Sequence, residues 1–257
     1  MPLLMENEVR PGREIPLTGA ERAARVQLAA AYRIFDHLGW TELIFNHITL
    51  RVPGPEKVFL INPFGVHYRE VTASSLIAID VDGNPVRPTP YPVNRAGFVI
   101  HSAIHRAIPA AHCVMHTHTT TGMAVACLAS GLSHDSFNGA QLHGRVAYHD
   151  FEGVTVEEDE QARMLASIGD KRAVILRNHG LLAWGESVPQ AFLTLWSLQR
   201  ACDVQVAAAA MGAMNPVSAA ALEQSVREAG PAETTVCDFV FAALVRRIEA
   251  RDPGYRN

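Results

Sequence analysis

Little in this sequence is arranged for covalent cross-linking. The four cysteines, Cys113, Cys127, Cys202 and Cys237, are scattered and fall in no CxxC-type motif. That excludes a disulfide framework and a cysteine zinc site, and it fits reduced thiols. No basic run of useful length occurs and the formal net charge is −4, which excludes a nucleic-acid partner held through phosphate contacts. No apolar stretch is long enough to span a bilayer, so no membrane partner is expected. The opening "MPLLMENEVRPGREIP" has neither a charged start followed by an apolar region nor a cleavage site, and the expected location is the cytoplasm. Internal repeats and low-complexity linkers are absent as well. What is present is a globular composition, 48% hydrophobic and 19% charged, in 257 residues, enough for one large domain with a filled core.

Helical and strand signals alternate through one unit spanning 1–257, with a core over about 18–206 and a helical extension over 207–257. Thr18 and Glu21 form a capping box for a first helix, whose face is marked by Val26, Ala30, Ile34 and Leu38 and whose end is Gly39. "IFNHITLRV" and "KVFLINP" read as neighbouring strands, and "SLIAIDVDGNPV" as another running into an Asp-Gly turn. "AGFVIHSAIHRAI" has helical spacing and stops before Pro109. "HCVMHTH" is a strand, and "TGMAVACLASGL" a buried helix stopped at Gly131. His134 to Gly153 reads as a long polar loop, and "EEDEQARMLASIGD" as a helix with an acidic first turn. "RAVILRNHGLLAWG" gives two buried strands broken at Asn178-His179-Gly180, followed by a long helix from Ser187 and one or two more in the tail. The architecture expected is α/β, a central mixed or mainly antiparallel sheet covered by helices.

Three histidines, His112, His116 and His118, fall within seven positions of "AHCVMHTHTTTG". A pH sensor, a proton relay, a metal site or a coincidental cluster would each place imidazoles there. On a strand, His116 and His118 project from one face, where two rings can share a divalent ion at roughly 2.0–2.1 Å each. His112 has the same parity but stands at the start of the strand, so it is expected to be a bystander. His179 sits in a tight turn between two apolar runs, where an imidazole must be hydrogen-bonded or ligated to offset its burial.

"VMHTHTTTGMAVA" followed by "RAVILRNHGLLAWGESVPQAF" resembles the class II aldolase/adducin family over about Thr18 to Val206. The resemblance implies a three-layer α/β/α sandwich and a homotetramer with active sites at subunit interfaces. It also implies one divalent ion per subunit, Zn2+ or Mn2+, on His116, His118 and His179. Three imidazoles leave coordination positions open, as a catalytic site requires. A small-molecule substrate chelates the ion through adjacent oxygens, and the ion acts as a Lewis acid when a C–C bond breaks.

The resemblance also exposes departures. The family's sugar-phosphate aldolases carry a Ser-Ser-Glu segment where this chain has Arg95-Ala96-Gly97, and glycine moves no protons. Phe64 stands where the family's Thr-Gly turn has a hydroxyl, before Gly65, whereas Asn46 matches the family's phosphate-loop asparagine. Arg95 could orient a carboxylate or be a solvated surface residue. His101 matches the family's helix histidine, and His101 and His105 share a helix face; Ser102 rules out the zinc-protease motif. Tyr148 is the best match to the family's tyrosine proton donor, and His47, His67 and His143 are expected to face solvent. Asn46, Phe64, Gly65 and Arg95 are thus the substrate-binding candidates and Tyr148 and His101 the catalytic ones. The resulting expectation is a metal-dependent carbon–carbon lyase of retro-aldol type on a small oxygenated substrate, carboxylated or aromatic. A decarboxylase at the same ion and a non-catalytic, adducin-like assembly protein are the alternatives.

Overall fold

Strict alternation of side chains along short apolar strands builds a seven-stranded sheet whose two faces carry different chemistry. The computed structural model describes residues 4–5, 16–54, 57–153, 160–230 and 234–257, without the side chains of Leu4, Met5, Arg95, Ala96 and Phe98. The chain runs β1 (Leu4–Met5), α1 (Gly19–Leu38), β2 (Ile48–Arg51), β3 (Phe59–Ile61), β4 (Ile77–Ile79), β5 (Val93–Asn94) and α2 (Arg95–Ala107). It continues with β6 (Cys113–Thr117), α3 (Thr120–Ala126), α4 (Phe137–Gln141), β7 (Val146–His149), α5 (Glu160–Ile168), β8 (Ala173–Leu176) and β9 (Gly180–Gly185). Three helices close it, α6 (Val188–Ala209), α7 (Ala219–Ala229) and α8 (Thr234–Glu249).

The main sheet has the order β4-β3-β2-β6-β9-β8-β7, and β1 pairs with β5 apart from it. Every pairing in the main sheet is antiparallel except β7 with β8. Odd-numbered residues of β2, β6, β8 and β9 differ in facing from even ones, as a period of two requires. Cys113, Met115, Ile175, Leu181 and Ala183 lie under α1, α6 and α8. Val114, Val174, Leu176, Leu182 and Trp184 pack instead on Ile100 and Ile104 of α2 and Met164 and Ile168 of α5. The result is the expected α/β/α sandwich.

Helix α1 starts and stops close to where the sequence marks it. Thr18 Oγ1 accepts the Glu21 N–H at 3.1 Å, and Gly39 closes the helix in the left-handed region at φ 72°. The capping box itself is half formed. The Glu21 carboxylate is buried and turns to Arg25 Nε at 2.8 Å and to Arg87, because a buried charge needs a partner more than the helix needs a second cap. Tyr32 fastens α1 to the sheet, donating to the Ile48 carbonyl at 2.5 Å and accepting the Ile48 N–H at 2.9 Å.

Two sequence expectations change. The stretch read as a polar loop, His134 to Gly153, contains α4 and the edge strand β7. Only Ala147 and His149 of β7 point inward, which is too short an apolar signal to read beside polar flanks. Helix α3 ends at Ala126, and Gly131, at φ 67°, bends the chain after it rather than capping it. Residues 154–159, which include the acidic start expected for α5 at 157–159, lie outside the described residues.

The C-terminal segment belongs to the packing of the core. Phe192 of α6 is fully buried, with ring centroids 6.4 Å from Phe35, 6.0 Å from Trp40 and 5.9 Å from Phe241 of α8. Arg33 of α1 donates to Asp252 at 2.6 Å, and Tyr255 is buried. No described helix is long and apolar enough to cross a membrane. Because Phe192 joins α1, α6 and α8, Phe192→Ala is expected to cost about 3–5 kcal/mol of stability. Urea unfolding measures it; a loss below about 1 kcal/mol would contradict this packing role.

Candidate metal centre

Strand register brings the three candidate ligands together. In the β6–β9 pair Thr117 faces Leu181 and His116 faces Leu182, so the next step along each strand sets His118 near Gly180. His179 precedes that glycine in the β8–β9 turn, which Asn178 makes possible by adopting φ 56°, a conformation asparagine reaches at small cost. The His179 N–H donates to the Leu176 carbonyl at 3.1 Å and the Asn178 N–H to Ala126 at 3.0 Å, so the turn is fixed at both residues. Gly180 is required by the rings themselves. A Cβ there would lie 3.0 Å from His118 Cδ2 and 3.3 Å from His116 Cε1, besides striking the Thr117 carbonyl oxygen.

The ring centroids are 4.5 Å apart for His116 and His118, 4.8 Å for His116 and His179, and 4.9 Å for His118 and His179. One nitrogen from each ring lies within 4.8 Å of the other two. His116 is buried, while His118 and His179 are half-buried and leave an open side. The Leu181 carbonyl is 2.9 Å from His116 Nδ1 and can only accept, so Nδ1 carries the proton and Nε2 is bare. That Nε2 is 2.7 Å from His118 Nε2. Two lone pairs at that distance repel, so the pair needs a proton or a cation between its members. Burial pushes all three rings toward the neutral form, His179 to about 4 and His116 well below the usual histidine value, with repulsion between the rings adding to it. Neutral, convergent, partly open imidazoles suit a divalent cation.

The other predicted residues fall into three groups. Asn46 directly precedes His47, whose carbonyl accepts the His116 N–H, whereas Phe64 and Gly65 follow β3, with the Phe45 and Phe64 rings 6.2 Å apart, Gly65 at φ 92° and no described contact to the trio. Asn46 is 1% exposed, yet neither its Nδ2 nor its Oδ1 has a hydrogen-bond partner among the described residues. An amide left so costs about 1–3 kcal/mol, which a bound molecule would relieve. Arg95 opens α2, and its side chain lies outside the described residues. Tyr148 sits on β7, where its hydroxyl accepts the Leu132 N–H at 3.0 Å and its ring carries the Arg177 guanidinium 4.6 Å away. None of the described contacts joins Tyr148 to the trio within one chain. His112 is exposed at the start of β6, as expected, on a groove of about 830 Å³ between α1 and α8. His143 is exposed and His67 caps a short 3-10 turn.

His47 is the residue that sequence reasoning placed in solvent and the structure places at the centre. It is 3% exposed, its ring centroid lies 5.3 Å from that of His116, and its carbonyl accepts the His116 N–H at 3.3 Å. The signal was present in "NHITLR": Ile48 and Leu50 face α1, so His47 and Thr49 must face α2. His47 Nδ1 is 3.0 Å from His101 Nε2, and His101 Nδ1 is 2.8 Å from Thr49 Oγ1. Thr49 Oγ1 is also 2.8 Å from His105 Nε2, and His105 Nδ1 is 2.7 Å from the Ala111 carbonyl oxygen. Both nitrogens of His101 are therefore engaged. Satisfied on both sides within the protein, the ring fits support behind the trio rather than contact with a substrate.

Burial also sets how these rings respond to acid. His47 and His105 are pulled down to about 3, and His101 is likewise held well below the usual histidine value by its burial. Histidines in the unfolded chain titrate near about 6.5. Between those values the unfolded chain holds more protons than the native one, so unfolding free energy rises with pH and native stability falls as pH drops below about 6.5. The melting temperature of metal-free protein is expected to fall between about pH 7 and pH 5, and to fall less in His105→Gln measured against its own pH 7 value. An equal slope in the two proteins would contradict a neutral, buried His105.

The geometry stands beside four findings from known proteins. The profile of the family described as Class II Aldolase and Adducin N-terminal domain matches residues 26–206. The crystal structure of an aldolase II superfamily protein from Pseudomonas syringae is 40% identical, with a TM-score of 0.90 over 94% of this chain and 98% of its own. L-fuculose 1-phosphate aldolase from Glaciozyma antarctica PI12 is 29% identical, with a TM-score of 0.81 over 95% of this chain and 98% of its own. Alpha-adducin from Rattus norvegicus is 45% identical over 203 residues, which is 78% of this chain and 28% of that protein. With a profile match over most of its length and relatives of this similarity, the chain belongs to the class II aldolase and adducin family.

Proposed function

We propose that this protein is a divalent-metal-dependent carbon–carbon lyase of retro-aldol type, with His116, His118 and His179 as the metal ligands and a small oxygenated molecule as substrate. The observation that carries the reading is the approach of three neutral ring nitrogens, one from each histidine, to within 4.8 Å of one another on a half-open face. A Zn2+ or Mn2+ ion held there would supply Lewis acidity, drawing off the negative charge that develops as the bond breaks.

The chain's own residues account for the rest. The Leu181 carbonyl fixes the His116 tautomer, and the Asn178–Gly180 turn aims His179. Asn46 offers both a donor and an acceptor to a bound molecule from a position where no described residue answers them. Phe151, its ring 6.4 Å from His179, gives an apolar wall, which favours a substrate with an apolar or aromatic portion over a phosphorylated one. Arg95, from its place at the start of α2, is assigned to a substrate carboxylate. Tyr148 is assigned as proton donor to the site of a neighbouring subunit in a homotetramer, acting in the cytoplasm.

The 45% identity to alpha-adducin favours a second reading, a non-catalytic assembly protein that keeps the fold. Metal content separates the two. The lyase reading expects close to one equivalent of zinc or manganese per chain by elemental analysis, and loss of most of it in His179→Ala. Retention of full metal in that variant would remove His179 from the site. In the loaded protein, aldehyde release from hydroxycarbonyl compounds supports aldol cleavage. Carbon dioxide release from hydroxy or aromatic acids would instead assign a decarboxylase.

A further inference from the structure

The histidines behind the metal centre form a chain with a direction. The Ala111 carbonyl can only accept, so His105 Nδ1 donates to it at 2.7 Å. A neutral His105 then has a bare Nε2, which receives the Thr49 hydroxyl proton at 2.8 Å. Having donated its one proton, Thr49 Oγ1 must accept from His101 Nδ1, also at 2.8 Å. His101 Nε2 is thereby bare and receives the His47 Nδ1 proton at 3.0 Å. Each link fixes the next, and the series ends with His47 Nε2 unprotonated. The neutrality it needs follows from burial: His47, His101 and His105 are each 1–3% exposed.

His47 Nε2 has no hydrogen-bond partner among the described residues. The ring is wedged between Gly97 and His116: a Cβ on Gly97 would lie 2.8 Å from His47 Cδ2, 2.9 Å from Cγ and 3.3 Å from Nε2. Glycine at 97 is thus what lets the imidazole reach the site. Its environment is the metal centre itself, since the ring is repelled by His118 and His179 when charged. A ring nitrogen with a fixed lone pair on a side chain only 3% exposed, beside an open three-histidine cluster and an Asn46 amide without a partner among the described residues, is built to accept from something that binds there.

We propose that His47 is a substrate-contacting residue of this site, its bare Nε2 accepting a hydrogen bond from a hydroxyl of the molecule that binds at His116, His118 and His179, with His101, Thr49 and His105 as the residues that position it. This rests on the lyase reading for what occupies the site, and it adds a selectivity: a molecule with a free hydroxyl is preferred over the same molecule capped with a methyl group.

The tautomers are measurable without metal. Long-range proton–nitrogen correlation spectra of metal-free, 15N-histidine-labelled protein are expected to place the proton on Nδ1 and leave Nε2 bare in His47, His101 and His105. A proton on His47 Nε2 would overturn the proposal. Thr49→Val cuts the chain between His101 and His105 while nearly keeping volume, and is expected to release the fixed pattern at His101 and His47. In zinc-loaded protein, calorimetry with glycolate and methoxyacetate reads the selectivity. Loss of one hydrogen bond is expected to weaken glycolate by about tenfold in Thr49→Val and in His47→Phe, with methoxyacetate little changed. Equal losses for both probes would mark a merely structural role and overturn the proposal. If neither variant folds, the wild-type spectrum decides alone. Failure of the lyase reading would appear as absent zinc with the tautomer pattern intact, whereas failure of this proposal would appear as bound zinc with the wrong tautomer.

Discussion

Pairing of β6 with β9 is the constraint on which the site depends. Five residue pairs from Cys113–Gly185 to Thr117–Leu181 fix the register, and a slip by one would turn His116 and His118 away from α2 and toward α1. The same pairing holds the Leu181 carbonyl against His116 Nδ1 and brings Gly180 up to the ring of His118. Geometry in this region is set by backbone hydrogen bonds deep in a sheet covered on both faces. That is why three imidazoles can be held close together despite the cost of crowding and drying them.

The sheet carries an unusual division of labour. One face is largely apolar, with Ile48, Leu50, Cys113 and Met115 against α1, α6 and α8 and Thr117 as a polar exception. At the β2–β6 end of the other face, His47, Thr49 and His116 meet His101 and His105 of α2, all buried. A polar layer of this kind is stable only if nearly every donor and acceptor is matched. Three of those five side chains, His105, Thr49 and His101, are fully matched within the protein through an unbroken series that starts at the Ala111 carbonyl. The lone pairs left over, at His47 and His116, both lie toward the trio. The ring of His47, just before β2, takes up the space that any side chain at Gly97 would need.

The sequence shows some of this and hides the rest for physical reasons. His116, His118 and His179 were legible because a period of two and a tight Asn-His-Gly turn are local rules. Asn46, Phe64 and Gly65 were legible as neighbours through the family pattern, since they end adjacent strands. His47 was hidden because its burial depends on α2 lying across β2, a tertiary fact that no local window contains. Strand β7 was hidden because a four-residue edge with two inward side chains barely differs from a loop. Arg95 and Tyr148 stand as assignments from sequence, the first by the position of its backbone and the second because none of its described contacts reaches the trio.

The central claim is that three imidazoles share one cation. X-ray absorption at the metal edge of zinc- or manganese-loaded protein counts them directly. Three histidine nitrogens at roughly 2.0–2.1 Å, for zinc, with the remaining shell filled by light oxygen donors, is the expected result. A shell holding one histidine or none, or one made of cysteine sulfur, would contradict the account.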